Sequence, residues 1–177
     1  SDKSHKQLPR QSENFRYRFY EHTYFINNTV LYISVRRIRE NPKYYRNLSQ
    51  GEIMSIEEIC DKHGVQIAYF DKELWHRHGV YIDEIKIVFV NKALSGDAQK
   101  RVVLHELGHL NHSGTEYAIN PIKCENEANR SMIHALLEEE LKGIEKEDFN
   151  YLSFMERHKL KTTTDELMVI DEFYRLV

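Results

Sequence analysis

The sequence predicts an α+β fold, with a small sheet of about three strands packed against a pair of helices and further helices at the C-terminal end. Three observations lead there. Short, β-branched apolar runs at about 65–70, 79–82 and 85–90 have the length and residue types of strands. Two longer stretches, Ala98 to His112 and Lys123 to about Leu141, read as helices. Two capping boxes, at Ser55–Glu58 and Thr163–Glu166, mark shorter helices on either side of them.

Taken in order, Ser55-Ile56-Glu57-Glu58 opens a short helix that stops at Gly64. Cys60 lies on its apolar side and is expected in the core. The strand at 65–70 leads into Asp71 to Gly79, a polar loop containing Trp75, His76 and His78, whose histidines read as solvated. The next two strands flank Asp83-Glu84 as a hairpin turn, so the sheet is expected to be antiparallel. Leu94-Ser95-Gly96-Asp97 is a turn with helix-start residues. In the helix that follows, Val102, Val103, Leu104, Leu107 and Leu110 cover most of the surface, which predicts burial. Asn111 to Ile122, with Gly114 and Pro121 as breakers, is long enough to lay the second helix back on the first. Cys124 is expected as a buried thiol, and Glu138-Glu139-Glu140 as a solvated face. Glu145 to Lys159 reads as one helix. In the last helix, Leu167, Ile170, Phe173 and Tyr174 form a stripe suited to a core or dimer face.

A chain of 177 residues supports one domain with an appendage. No apolar run approaches the ~20 residues of a membrane span. The polar first residues hold no signal-peptide core, and the two cysteines suggest neither a disulfide framework nor a thiolate metal site. A cytoplasmic protein is expected. Residues 1–53 carry 10 Lys and Arg against 5 Asp and Glu, net +5; residues 54–177 carry 15 against 23, net −8. The basic segment also holds Tyr17, Tyr20, Tyr24, Tyr32, Tyr44 and Tyr45. It contains no helix-turn-helix or RNA-binding signature, so direct nucleic-acid binding is not expected. Asn28 to Val35 reads as a strand or an apolar helix start. Gln50-Gly51-Glu52 can be encoded by a ribosome-binding sequence, and on that reading residues 1–53 are translated upstream sequence rather than an evolved domain. The expected divisions are 1–53, a core domain at 54–142, and a helical tail at 143–177 packed on it.

The chemistry concentrates in His105-Glu106-Leu107-Gly108-His109. Residues i and i+4 share a helix face, so both imidazoles can address one metal ion while Glu106 reaches a water on it, as zinc-assisted peptide hydrolysis requires. A catalytic zinc commonly takes three protein ligands. The extension H-E-x-x-H-x-x-G-x-x-H fails, because His112 and Thr115 stand where Gly and the last His are needed. The third ligand is therefore sought on the second helix. Glu125 is preferred and Glu127 is the rival; two positions apart they point roughly 200° away from each other, so only one can face the metal. Glu116 and His134 are weaker candidates.

The order strand, turn, Val103-Leu104-His105-Glu106-Leu107-Gly108-His109, variable loop, then Glu125-Asn126-Glu127-Ala128-Asn129 resembles the ImmA/IrrE family of bacterial and phage metallopeptidases. In that family the second motif commonly reads E-x-x-A-N-x-F-A, and its first Glu falls on Glu125. Ser131-Met132 replaces its Phe-Ala, and Leu136 to Glu140 departs from the Leu-Leu-x-Pro that often follows. The resemblance covers about residues 54 to 140, and more weakly the tail. It implies a zinc-dependent endopeptidase, with Zn2+ on His105, His109 and Glu125, Glu106 as general base, and a DNA-binding repressor as partner substrate. His112, Tyr117 and Tyr81 are candidates for a second donor to the oxyanion. The competing class is a zinc-containing binding protein that holds a repressor or toxin partner without cutting it.

Overall fold

The structure, a computed structural model, describes residues 18–26, 29–37 and 54–177. Two antiparallel strands come first, β1 (Arg18–Ile26) and β2 (Thr29–Arg37), in register from Arg18↔Arg37 to Ile26↔Thr29. The segment read as a strand or helix start is thus strand β2. The tyrosine-rich, basic character of residues 1–53 and its origin otherwise lie outside the described residues.

The central sheet holds β3 (Gln66–Phe70), β4 (Gly79–Ile82) and β5 (Ile87–Asn91) in the order β3-β5-β4. It is mixed rather than wholly antiparallel. The hairpin puts β4 against one edge of β5, so β3 takes the other edge and runs parallel to it. The most continuously apolar run therefore becomes the middle strand, and every residue of β5 is buried. The hairpin turn is longer than expected. Asp83 to Lys86 form it, with Lys86 at φ 54° and its ammonium 2.5 Å from Asp83, so β5 starts at Ile87.

Capping chemistry places the helices. Ser55 and Glu58 exchange both bonds of the expected box at α1 (Ile56–Lys62). The helix carrying the histidines, α2 (Gly96–Gly108), starts at its N-cap Ser95 and ends four residues before His112. The connection read as irregular contains a short helix, α3 (Gly114–Ile119), capped by Ser113. Pro121 opens α4 (Pro121–Glu140) instead of breaking it, because proline at the first position of a helix loses no hydrogen bond. Helix 145–159 is divided: a single 3-10 turn at Lys146–Asp148 is followed by α5 (Tyr151–Arg157), which Asn150 caps afresh. The last box sits one residue earlier than expected, with Thr162 and Asp165 opening α6 (Thr163–Leu176).

One face of the sheet contributes Val88 and Val90 to the main core, with Val103, Leu104, Leu107, Ile133, Leu137 and Phe154. On the other, Ala68, Phe70, Ile87 and Phe89 pack with Trp75. Cys60 and Cys124 are both buried thiols, as expected, and burial pushes Cys60 up to about 12. Helix α6 packs on α4, but only part of the stripe expected of it turns inward: Phe173 is half-buried against the core and stacks on Phe149. Met168, Val169 and Glu172 are buried, whereas Leu167 and Tyr174 are 63% and 74% exposed. The reason is electrostatic. The Glu172 carboxylate is 3% exposed and accepts from Arg130 at 2.7 Å and His134 Nδ1 at 2.9 Å, both on α4, with Arg175 at 2.9 Å. A buried charge with this many donors is tolerated and fixes the rotation of its helix.

Although burial opposes it, donation from Arg130 and His134 holds the Glu172 carboxyl below its ordinary value of 4.5. Its contribution is therefore fully present above about pH 4.5 and is lost as pH falls through the lower folded value. Glu172→Gln should cost about 1–3 kcal/mol at pH 7. Thermal melts followed by circular dichroism should show this difference narrowing below pH 4.5; a pH-independent difference contradicts the assignment.

Candidate metal centre

Two glycines let α2 sit where it does. A Cβ on Gly79 of β4 would lie 2.4 Å from Val102 Cγ1 and 2.8 Å from the Phe89 carbonyl oxygen. One on Gly108 would lie 2.7 Å from Ala128 Cα and 2.9 Å from its carbonyl oxygen. Helix α2 is thus pressed onto the sheet at its middle and onto α4 at its end. The first contact brings Glu106 to β4, and the second brings His105 and His109 to Glu125.

His105 Nε2 and His109 Nε2 are 3.3 Å apart; Glu125 Oε2 is 3.3 Å from the first and Oε1 3.7 Å from the second. These residues form a cluster able to hold a metal ion. Donors on a tetrahedral zinc, at bonds of about 2.0–2.1 Å, lie about 3.3–3.4 Å from one another. The separations fit that geometry, and the set leaves the fourth position open. The chemistry fits as well. Burial and the neighbouring His105 lower the pKa of His109, which favours the neutral imidazole a metal needs. His105 Nδ1 lies 2.9 Å from Asn129 Oδ1, so its proton sits there and the Nε2 lone pair faces the cluster.

Glu106 takes another direction. Its Oε2 accepts the backbone N–H of Tyr81 at 2.9 Å. Burial raises its pKa and Glu125 adds to this, while His105 and the Tyr81 amide work against it. Of the other candidates, Glu127 pairs with His112 at 2.9 Å, Glu116 with Lys123 at 3.0 Å, and His134 with Glu172. The structure therefore brings Glu125, and not Glu127, Glu116 or His134, against the two imidazoles. The three groups considered as oxyanion donors separate in the same way. The Tyr81 hydroxyl is on Asp83 at 2.8 Å and the His112 nitrogens are taken by His109 and Glu127, whereas the Tyr117 hydroxyl reaches Glu125 Oε1 at 2.5 Å. A cleft of about 1090 Å³ opens over the cluster, with His76, Arg77 and Tyr81 on one wall and Tyr117 on another.

Sequence reasoning assigned no role to Asn129, to the Tyr81 amide or to the His112–Glu127 pair. For Asn129 the signal was available, since it lies four residues after Glu125 and so on the same helix face. The Tyr81 amide is a backbone group and leaves no trace in residue types.

Two histidines one turn apart, a glutamate from a second helix and a further carboxylate beside them define a metallopeptidase-type domain on an α+β scaffold. The chain belongs to the IrrE N-terminal-like domain family of peptidases, whose family model matches residues 60–167. That span includes both the H-E-x-x-H helix and the Glu125 helix. No curated protein and no solved structure matches the chain.

The Gly108–Ala128 contact yields a test. Gly108→Ala should cost about 1–3 kcal/mol by overpacking, although alanine is the better helix former by about 1 kcal/mol. Gly96→Ala, where nothing lies within 4 Å of the added carbon, is the control and should be neutral or stabilising. Equal melting temperatures for the two variants would remove the close approach as a constraint.

Proposed function

We propose that this protein is a zinc-dependent endopeptidase that cleaves a partner protein at a specific bond, the partner being a DNA-binding repressor of a phage or mobile element. The observation that carries the reading is the convergence of His105, His109 and Glu125 on one point, with Glu106 beside them and bound to none of them. A purely structural site has no need of that extra carboxylate. Membership of a peptidase family supports the reaction class. The repressor rests on the resemblance drawn from the two sequence motifs.

His105, His109 and Glu125 would hold the ion. Bound there, zinc supplies a Lewis acid for the scissile carbonyl and brings the pKa of a water towards about 7. The chain's own residues do the rest. Glu106, oriented by the Tyr81 amide, accepts the proton of the attacking water and delivers it to the leaving amine. Its raised pKa suits a group that must both take and give a proton. Tyr117, the phenol nearest the ligand cluster, would turn from Glu125 to donate to the developing oxyanion. Tyr81 serves through its backbone, since its own hydroxyl is committed to Asp83.

Glu106→Gln should retain zinc within about threefold of the parent and lose cleavage of the co-encoded repressor by about 10²–10⁴-fold, the range for a general base. Metal content and a gel-based cleavage assay, with and without chelator, measure both. A variant that cleaves at the parental rate overturns the base assignment. A parent that binds zinc and the repressor yet never cuts it favours a holding function instead.

A further inference from the structure

His112 and Glu127 lie outside the ligand set but touch it in series. His112 Nδ1 is 3.0 Å from His109 Nδ1, and His112 Nε2 is 2.9 Å from Glu127 Oε2. The other Glu127 oxygen faces Lys123 at 3.5 Å, and Lys123 also reaches Glu116 at 3.0 Å. The ionised carboxylate can only accept, so the Nε2 of His112 carries a proton. A neutral imidazole protonated on Nε2 has a bare Nδ1. A 3.0 Å contact between the rings needs a proton, which belongs to Nδ1 of His109, whereas the 3.3 Å between the two Nε2 atoms is the spacing of donors around one ion. The lone pair of His109 is then on Nε2, the atom that faces His105 and Glu125. The His112 side chain is 8% exposed, so water competes little for these bonds.

We propose that His112 and Glu127 are positioning residues for the metal centre, forming a two-bond relay that fixes the tautomer and ring orientation of His109. The inference rests on His109 being a ligand. Asn129 does for His105 in one bond what the relay does for His109 in two. Both chains end on α4, so the helix that carries Glu125 also orients both imidazoles on α2. Hydrogen bonds of this kind typically set 10–100-fold in metal affinity.

The test compares the full chain with His112→Leu, His112→Gln and Glu127→Ala, with zinc affinity read by competition against a chromophoric chelator. His112→Leu should weaken zinc binding about 10–100-fold. His112→Gln should recover to within about threefold, because its amide offers one acceptor to His109 and one donor to Glu127. Glu127→Ala, at an exposed position that does not threaten folding, should weaken binding with unchanged circular dichroism. Long-range ¹⁵N–¹H spectra of the apoprotein read the tautomer directly: His109 should be protonated on Nδ1 in the parent, and that preference should fall in Glu127→Ala. Parental zinc affinity in His112→Leu, or a His109 protonated on Nε2 in the parent, overturns the relay. A parent that takes up no zinc overturns the metal reading, and the apoprotein spectra then still decide the relay.

Discussion

The contact between Gly108 and Ala128 is the constraint on which the rest of this domain depends. At 2.7 Å from a hypothetical Cβ to the opposing Cα, the two helices meet backbone to backbone. An imidazole and a carboxylate are short groups, and they share a point in space only if their helices approach this closely. The small residues inside His105-Glu106-Leu107-Gly108-His109 and Glu125-Asn126-Glu127-Ala128-Asn129 are therefore as much part of the site as its charged ones. Gly79 does the same work on the opposite side, letting Val102 and Glu106 settle onto β4. Helix α2 is clamped between two surfaces that both require the absence of a side chain.

Helix α4 emerges as the organising element. Its side facing α2 carries Glu125 and Asn129, and Glu127 reaches back to His112. Its Arg130 and His134 hold the buried Glu172 of α6. The apolar core fixes how far apart the helices are, but nondirectional packing does not fix rotation about their axes. Charged hydrogen bonds with defined geometry do. On α6 one such cluster outweighs the exposure of Leu167 and Tyr174, large groups that composition alone would place inside.

What the sequence revealed follows the range of the interactions involved. The His105–His109 pairing, the Ser55 box and the burial of both cysteines depend on neighbours a few residues away, and residue order is enough to read them. The preference for Glu125 over Glu127 came from helical rotation together with the second motif, and the structure seats Glu125 beside the imidazoles. The mixed sheet was hidden, because the edge of β5 that β3 occupies is decided by packing between distant segments. The rotation of α6 was hidden for the same reason: Glu172 looks like a surface residue until Arg130 and His134 are folded against it. Helix α3 was a different kind of miss. Ser113 and Glu116 have the spacing of a helix start, and Gly114 is the first residue of that helix and not a breaker.

The bond from the Tyr81 amide to Glu106 has a consequence for the solution behaviour of the domain. Strand β4 is an edge strand of its sheet, and in register with β5 its Tyr81 amide points away from the partner strand. Unpaired amides on such an edge are templates for strand-to-strand aggregation. Here the Glu106 side chain covers one, so the carboxylate proposed as general base also guards the edge. Glutamine at this position keeps an acceptor oxygen on the amide and leaves the guard in place. Alanine strips it, which makes the choice of inactive variant a choice about colloidal stability too.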